Sequence, residues 1–293
     1  MRRSEAKLFT RREAASQDSE TVGLIRRAGL VRQFGSGLYG FTLTGERVRG
    51  AIIDRIDEAM REIGAQKIRL PQLNYRGLWE ESGRWDSFGE EMFTVENRDG
   101  QEMCLAPSHE EGVVHLFSGL VRSYEDLPIL CYQIGRKHRD DHARRGLLRT
   151  KEFTMQDTYS LHATRDSLAE QYARVRAAYC GLFERLGAEF AVVGADNSVM
   201  GGPASEEFVA PVESGTTPLT RCPGGDCRFG VIPDSPQEVD PGEDCPDCRT
   251  TLAGGEGIEI AHIFELGDRY ADPMELAVDM ADGSRQDVLM GSY

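Results

Sequence analysis

Residues 129–162 decide how this chain is read. They run Ile129-Leu130-Cys131-Tyr132-Gln133-Ile134, then Arg136-Lys137-His138-Arg139-Asp140-Asp141 and Arg144-Arg145, then Leu148-Arg149-Thr150-Lys151-Glu152-Phe153-Thr154-Met155-Gln156-Asp157-Thr158-Tyr159-Ser160-Leu161-His162. The opening six residues are an apolar run of strand length, and 153–159 reads as an antiparallel partner strand. Between them sits a dense cationic segment, in a chain whose formal charge is −15. Strands on both sides would aim its arginines from neighbouring backbone positions toward one ligand. Arginine suits an anionic ligand because its planar fork grips phosphate bidentately and keeps its charge. A solvated basic loop paired with nearby acids accounts for the same spacing.

Outward from this segment the pattern is that of a mixed fold. Thr44 can cap a helix in which Val48, Ile52, Ile56, Ala59, Met60 and Ile63 recur at helical spacing, stopped by Gly64. A short strand, Lys67-Ile68-Arg69-Leu70, then ends at Pro71, which cannot donate to a ladder. Met92–Val95 and Glu102–Leu105 flank an Arg98-Asp99-Gly100 turn, a hairpin signal. A helix is expected after Pro107, with Ser108 as its cap and Glu111 in the capping-box position. Leu168, Tyr172, Val175, Tyr179, Leu182, Phe183 and Leu186 mark a second long amphipathic helix, stopped at Gly187 before a strand at 188–193. From Gly194 to about Gly257 the chain is rich in glycine, proline and acid, and strand patterns return at 258–266 and 288–290. Helices interleaved with long antiparallel strands predict an α+β fold, a mixed and mostly antiparallel sheet flanked by helices.

Composition excludes some functions. A strongly acidic surface repels polyphosphate, so general, non-specific nucleic-acid binding is not expected. There is no long apolar run, hence no expected membrane span. Met1-Arg2-Arg3-Ser4-Glu5 is charged with no apolar segment behind it, so the chain reads as cytoplasmic. Of the seven cysteines, Cys104, Cys131 and Cys180 stand alone in apolar surroundings and read as buried thiols. The other four form Cys222-x4-Cys227-x17-Cys245-x2-Cys248, two close pairs separated by a loop. That is the arrangement of a structural zinc ribbon, in which thiolates around Zn²⁺ hold a loop too polar to pack a core. Reduced thiols and a metal-free vestige are the other readings.

The segment from Tyr132 to His162 resembles motif 2 of the class II prolyl-tRNA synthetases, whose pattern runs F-R-D-E, a loop, then R-x-x-E-F-x-M-x-D-x-Y-S-F-H. Thr44–Pro71 is similar to motif 1 of that family, its dimer-forming helix and proline-ended strand. Leu78-Trp79-Glu80-Glu81-Ser82-Gly83-Arg84-Trp85 resembles the L-W-x-E-S-G-R-W segment, and Ala106-Pro107-Ser108-His109-Glu110-Glu111 the P-T-H-E-E loop that recognises proline. The likeness continues in order through 257–267 to Met290-Gly291-Ser292-Tyr293. It implies a class II synthetase catalytic core over residues 1–293, with 215–256 a cysteine-rich insertion where many relatives carry a large editing domain.

The implied reaction is attack of the proline carboxylate on the α-phosphate of Mg²⁺-bound ATP, then transfer of the prolyl group to tRNA(Pro). Arg139 would hold α-phosphate and carboxylate together. Asp141, Arg149 and Phe153 would complete the ATP site, with Asp141 one methylene shorter than the family's glutamate. Ser108, Glu110 and His262 would contact proline. Serine replaces the family's threonine and could instead cap a helix, and His262 could instead be a core or edge residue. At Glu206, in Gly201-Gly202-Pro203-Ala204-Ser205-Glu206-Glu207-Phe208, the family usually has histidine. The sequence stops at Tyr293, before motif 3 with its γ-phosphate arginine and before the anticodon-binding domain. Impaired activation is therefore expected unless another chain supplies that helix. Two other readings stay open: a non-catalytic or partner-dependent paralogue, and an activator with a different acceptor.

Overall fold

The computed structural model describes residues 20–141, 146–195 and 200–293, apart from 234, 236 and 238. Arg144 and Arg145 of the basic segment lie outside the described residues. The chain runs α1 (Glu20–Arg27), β1 (Val31–Gly35), β2 (Leu38–Phe41), α2 (Leu43–Glu62), β3 (Gln66–Lys67), β4 (Leu73–Tyr75), α3 (Arg76–Glu81), α4 (Arg84–Ser87), β5 (Phe93–Glu96), β6 (Glu102–Leu105) and α5 (Glu110–Phe117). It continues through β7 (Ile129–His138), β8 (Glu152–His162), α6 (Arg165–Arg185), β9 (Ala191–Gly194), β10 (Ala204–Pro211), β11 (Thr217–Arg221), β12 (Gly230–Val231) and β13 (Ala253–Gly267). The last elements are β14 (Ala277–Asp279), β15 (Arg285–Asp287) and β16 (Leu289–Ser292). Two compact units result. One takes the described part of Met1–Glu58 with Arg69–His109 and Ile134–Gln156; the other takes Ala59–Ile68, Glu110–Gln133 and Asp157–Tyr293.

In the first unit β1 and β2 form a hairpin, and β4, β6 and β5 a small antiparallel sheet in that order. Gly100 closes the β5–β6 turn at φ +77°. Trp79, Met92 and Cys104 are the buried centre, with Phe88 edge-on to Trp79 at 6.0 Å. The indole N–H donates to Asn74 Oδ1 at 3.3 Å, so the buried ring keeps its polar atom satisfied. Helix α2 is capped by Thr42, whose Oγ1 accepts from Gly45 N at 3.2 Å, and not by Thr44 two residues on, which is already inside the helix. Its first half leaves Leu43, Val48 and Ile52 exposed, as are Phe34 (79%) and Phe41 in the preceding hairpin. Part of the apolar stripe therefore faces outward.

The second unit is built on one large sheet. Its strand order is β12-β11-β13-β16-β8-β7-β3, with β10 pairing β13 and β9. The pairs are antiparallel except β3 with β7, so the mixed, mostly antiparallel sheet expected from the sequence is present. Helix α6, capped by Thr164, buries Leu168, Val175, Tyr179 and Leu182. Tyr179 and Phe183 meet Phe208 at 5.8 and 5.6 Å. The chain end is a working strand: Tyr293 N and O each exchange a 2.8 Å hydrogen bond with Thr158. Gly291 is required there, since a Cβ would lie 2.1 Å from Tyr293 Oη, which folds back to Ser160 Oγ at 2.8 Å.

Three other expectations need correcting. The strand placed at Lys67–Leu70 is β3, ending at Lys67. The stretch 194–257 read as irregular carries β10, β11, β12 and the start of β13, because the glycines in Ala253–Gly257 hide a strand that is paired with β11. Cys104 and Cys131 are buried, and burial pushes Cys131 up to about 12, but Cys180 is only half-buried. No helix among the described residues is long and apolar enough to cross a membrane.

His162, at the end of β8, is buried with Nδ1 2.7 Å from Ser167 Oγ, and burial pushes its pKa down to about 4 from 6.5. The folded protein thus keeps it neutral where the unfolded chain would protonate it. Its contribution is complete above the unfolded value of about 6.5 and is lost as pH falls toward about 4, a change on the order of 3 kcal/mol. Urea denaturation at intervals from pH 7 to 4 should show this loss in the wild type. A His162→Gln variant should lose less over the same window; equal slopes would exclude the assignment.

Candidate active site

Arg139 follows β7 directly, and its N–H donates to Lys151 O at 3.0 Å, closing the base of the basic loop against β8. Its guanidinium donates to Pro107 O from Nε at 3.3 Å and Nη2 at 3.2 Å. It also stands 5.6 Å from the ring of Phe153 and 5.9 Å from that of Phe88, distances at which a ring face attracts a cation. Arg149 and Asp141 meet each other, Nε to Oδ2 at 2.6 Å. Lys151 pairs with Asp140 and Arg136 with Glu152. The reading of a basic loop paired with its acids thus holds for these three cations.

The loop 106–109 is fixed from below. Ala106 N donates to Gln72 O at 2.8 Å. The expected cap role of Ser108 is not observed: α5 starts at Glu110, and Ser108 Oγ instead accepts from Nη2 of the buried Arg84 at 3.0 Å. His109 Nε2 lies 2.9 Å from Pro71 O, and its Nδ1 contacts the buried Lys137 Nζ. A carbonyl can only accept, so Nε2 carries the proton and Nδ1 receives the lysine's. Arg84, Lys137 and Phe88, which touch Ser108, His109 and Arg139, were not picked out from the sequence as candidates. Charged side chains in polar segments read as exposed, and only the close repetition of Trp79, Arg84 and Phe88 hinted at a buried stack.

In the second unit Glu110 is 3% exposed at the first position of α5, where the helix dipole favours a carboxylate, and accepts from Ser292 Oγ at 2.9 Å. His262, on β13, sits opposite Glu207 of β10 and lies flat on Phe264 with centroids 3.8 Å apart. Its Nδ1 is 3.7 Å from Glu207 and 3.6 Å from Glu259, beyond hydrogen-bond range. Glu206, next along, is held by Arg176 at 2.9 Å, which gives an acid at that position a partner. Gly202 (φ +93°) brings its backbone against β13, where a Cβ would be 2.1 Å from Glu265 O.

The four clustered cysteines converge. Their Sγ atoms lie within 4.8 Å of one another, with Cys222–Cys248 at 3.3 Å and Cys227–Cys245 at 3.7 Å. A covalent bond would need about 2.05 Å, so these are thiols. Zinc with bonds of about 2.3 Å places tetrahedral sulfurs about 3.8 Å apart, and the donor set fits it. Tight turns form both knuckles: Cys227 N donates to Gly224 O, and Arg249, at φ +66°, donates to Cys245 O. Hydrogen bonds from Thr250 draw the exposed Cys248 down to about 6.

Residues 93–293 match the family described as tRNA synthetase class II core domain (G, H, P, S and T). The chain belongs to this class II synthetase family. Its curated relatives include a probable mitochondrial proline--tRNA ligase of Rattus norvegicus, 38% identical over 92% of this chain and 56% of the relative. The proline--tRNA ligase of Streptomyces coelicolor is 40% identical over 83% of this chain and 46% of its own length. The chain thus spans about half the length of these relatives. Among solved structures, the Giardia lamblia prolyl-tRNA synthetase in complex with prolyl-adenylate superposes with a TM-score of 0.73 at 18% identity, over 92% of this chain and 48% of that one. That likeness establishes the class II fold.

For this synthetase core the His109 assignment has a direct test. A long-range ¹H–¹⁵N spectrum at neutral pH should show Nε2 protonated and Nδ1 bare. The opposite tautomer would break the Lys137–His109–Pro71 chain.

Proposed function

We propose that this chain is the proline-activating core of a proline--tRNA ligase. The observation carrying this is Arg139, braced by Pro107 O and the Phe153 ring in a chain 35–41% identical to proline--tRNA ligases. A carboxylate oxygen of proline attacks the α-phosphorus of ATP, pyrophosphate leaves, and prolyl-adenylate forms; the tRNA(Pro) terminal ribose hydroxyl then displaces AMP. Such a reaction is accelerated by positioning and by charge placed where charge grows. Arg139 is the catalytic residue that does this, between α-phosphate and carboxylate. Mg²⁺ arrives with ATP and neutralises its phosphates.

Phe153 stacks on adenine. Arg149 and Asp141 serve the phosphate end; Arg149 is exposed and water screens their pair to about 1 kcal/mol, so exchange for a nucleotide costs little. Glu110 receives the secondary ammonium of proline, which needs a charged partner once desolvated, while Ser108 and His262 line the pocket. The exposed Val48 and Ile52 support a homodimer through the Thr44–Pro71 segment, with Phe34, Phe41 and Leu43 exposed just before it. The whole of 1–293 acts as one catalytic core, with 215–256 as a zinc-ribbon insertion held by Cys222, Cys227, Cys245 and Cys248. A reducing, cytoplasmic setting keeps such thiolates available to metal.

Proline-dependent ATP–pyrophosphate exchange tests the reading on this chain and on a form extended through motif 3. Arg139→Ala should reduce exchange by at least about 100-fold, and Glu110→Gln should raise the KM for proline. No exchange by either form would leave a non-catalytic paralogue; exchange without tRNA charging would point to another acceptor. For the ribbon, metal analysis of dialysed protein should give one zinc per chain, and Cys245→Ser should lose it with a lower Tm. Full-length protein stable without zinc would reject the metal.

A further inference from the structure

The β1–β2 hairpin carries an aromatic ring that neither the core nor the catalytic reading uses. Phe34 is 79% exposed. It is the extra residue of a bulge: Gln33 pairs with Tyr39 and Gly35 with Leu38, and Phe34 falls between the two pairs. A bulge re-aims the side chain it carries. The ring lies over Gly40, where an added Cβ would meet its edge at 2.5 Å. Gly40 pairs with Arg32, and directly opposed residues share a face of the ribbon. The ring and the exposed Arg32 therefore stand on the same side.

This segment also has a charge opposite to that of the molecule. Residues 20–49 hold the five arginines Arg26, Arg27, Arg32, Arg47 and Arg49 against Glu20 and Glu46, in a chain of formal charge −15. A local positive field on an acidic protein draws a polyanion to one place and repels it elsewhere. The position is equally informative. Lys151 N–H donates to Gly37 O in the hairpin turn at 3.0 Å, and Lys151 O accepts from Arg139 N–H at 3.0 Å. A single residue thus joins the hairpin to the catalytic arginine. Helix α1 is seated against the basic loop as well, since a Cβ on Gly146 would lie 2.5 Å from Val22.

We propose that Phe34 and Arg32 form a platform for the unpaired 3′ end of tRNA, the ring stacking on a base and the guanidinium pairing with a phosphate. Single-stranded RNA suits this pair. An unpaired base offers its face to an aromatic ring, a base inside a duplex does not, and each nucleotide brings an anion for arginine. A second copy docked on this face about a two-fold axis would set arginines against arginines. The proposal rests on transfer to tRNA at this site, and it adds where the acceptor end is received.

The test is an anisotropy titration of the full chain with a tRNA(Pro) acceptor-stem hairpin, made with its unpaired 3′ end and again with a blunt end. The unmodified chain should prefer the unpaired form. Phe34→Ala should weaken that form roughly 10-fold and leave the blunt one unchanged. Phe34→Trp should keep the affinity and Phe34→Leu should lose it, because leucine is apolar but cannot stack. Arg32→Gln should flatten the plot of log affinity against log salt by about 0.7, the share of one phosphate contact in a single strand. Tm should stay at the wild-type value in all four variants. Equal affinity for the two RNAs, a leucine as good as phenylalanine, or a salt slope unmoved by Arg32→Gln would each overturn the proposal. So would a Phe34→Ala chain with a changed sedimentation coefficient and intact RNA binding, since the ring would then serve a second copy. ATP–pyrophosphate exchange is scored separately. Exchange without RNA binding overturns the platform and keeps the activation reading; preference for the unpaired end without exchange does the reverse.

Discussion

The main-chain hydrogen bonds of β13 are the constraint on which the second unit depends. Over Ala253–Gly267 this strand pairs first with β11, then with β10, and near its end with β16. Its start therefore fixes the strand leading into the cysteine cluster, its middle sets His262 opposite Glu207, and its end holds the strand that carries Ser292 to Glu110. A slip of one residue would turn every side chain to the other face. Gly202 and Gly257 allow the neighbouring backbones to approach that closely.

Much of this was legible in the sequence, and what was missed has physical causes. Helices α2 and α6 declared themselves because their apolar residues recur at helical spacing and a glycine ends each pattern. The β5–β6 hairpin and the strands β7 and β8 were found from alternation and turn chemistry. Strand β10 and the start of β13 were missed because a strand held by main-chain hydrogen bonds to its neighbours can be built from glycine and acid, with no periodic apolar signal. The helix caps were misplaced by small distances: Thr42 in place of Thr44, and a start at Glu110 in place of one set by Ser108. Local propensity could not know that Ser108 was already engaged by an arginine twenty-four residues away.

The site residues divide the same way. Arg139 and Phe153 were readable from motif order and are in contact with each other. Arg149 and Asp141 were readable too, but the structure pairs them with one another. Arg84, Phe88 and Lys137 were not legible as parts of the site, because burial of charge is a tertiary property. They contact Ser108, Arg139 and His109, which lie in the segments that the motifs name.

The cysteine cluster is also tied to the sheet. Two of its sulfur–sulfur distances are 3.3 and 3.7 Å, and all four Sγ atoms lie within 4.8 Å of one another. The Cys222 end is continuous with β11 and, through it, with β13. Any displacement of Cys222 therefore works against backbone pairing that lies outside the cluster, and the stiffness of the four thiols as a group is borrowed from the sheet.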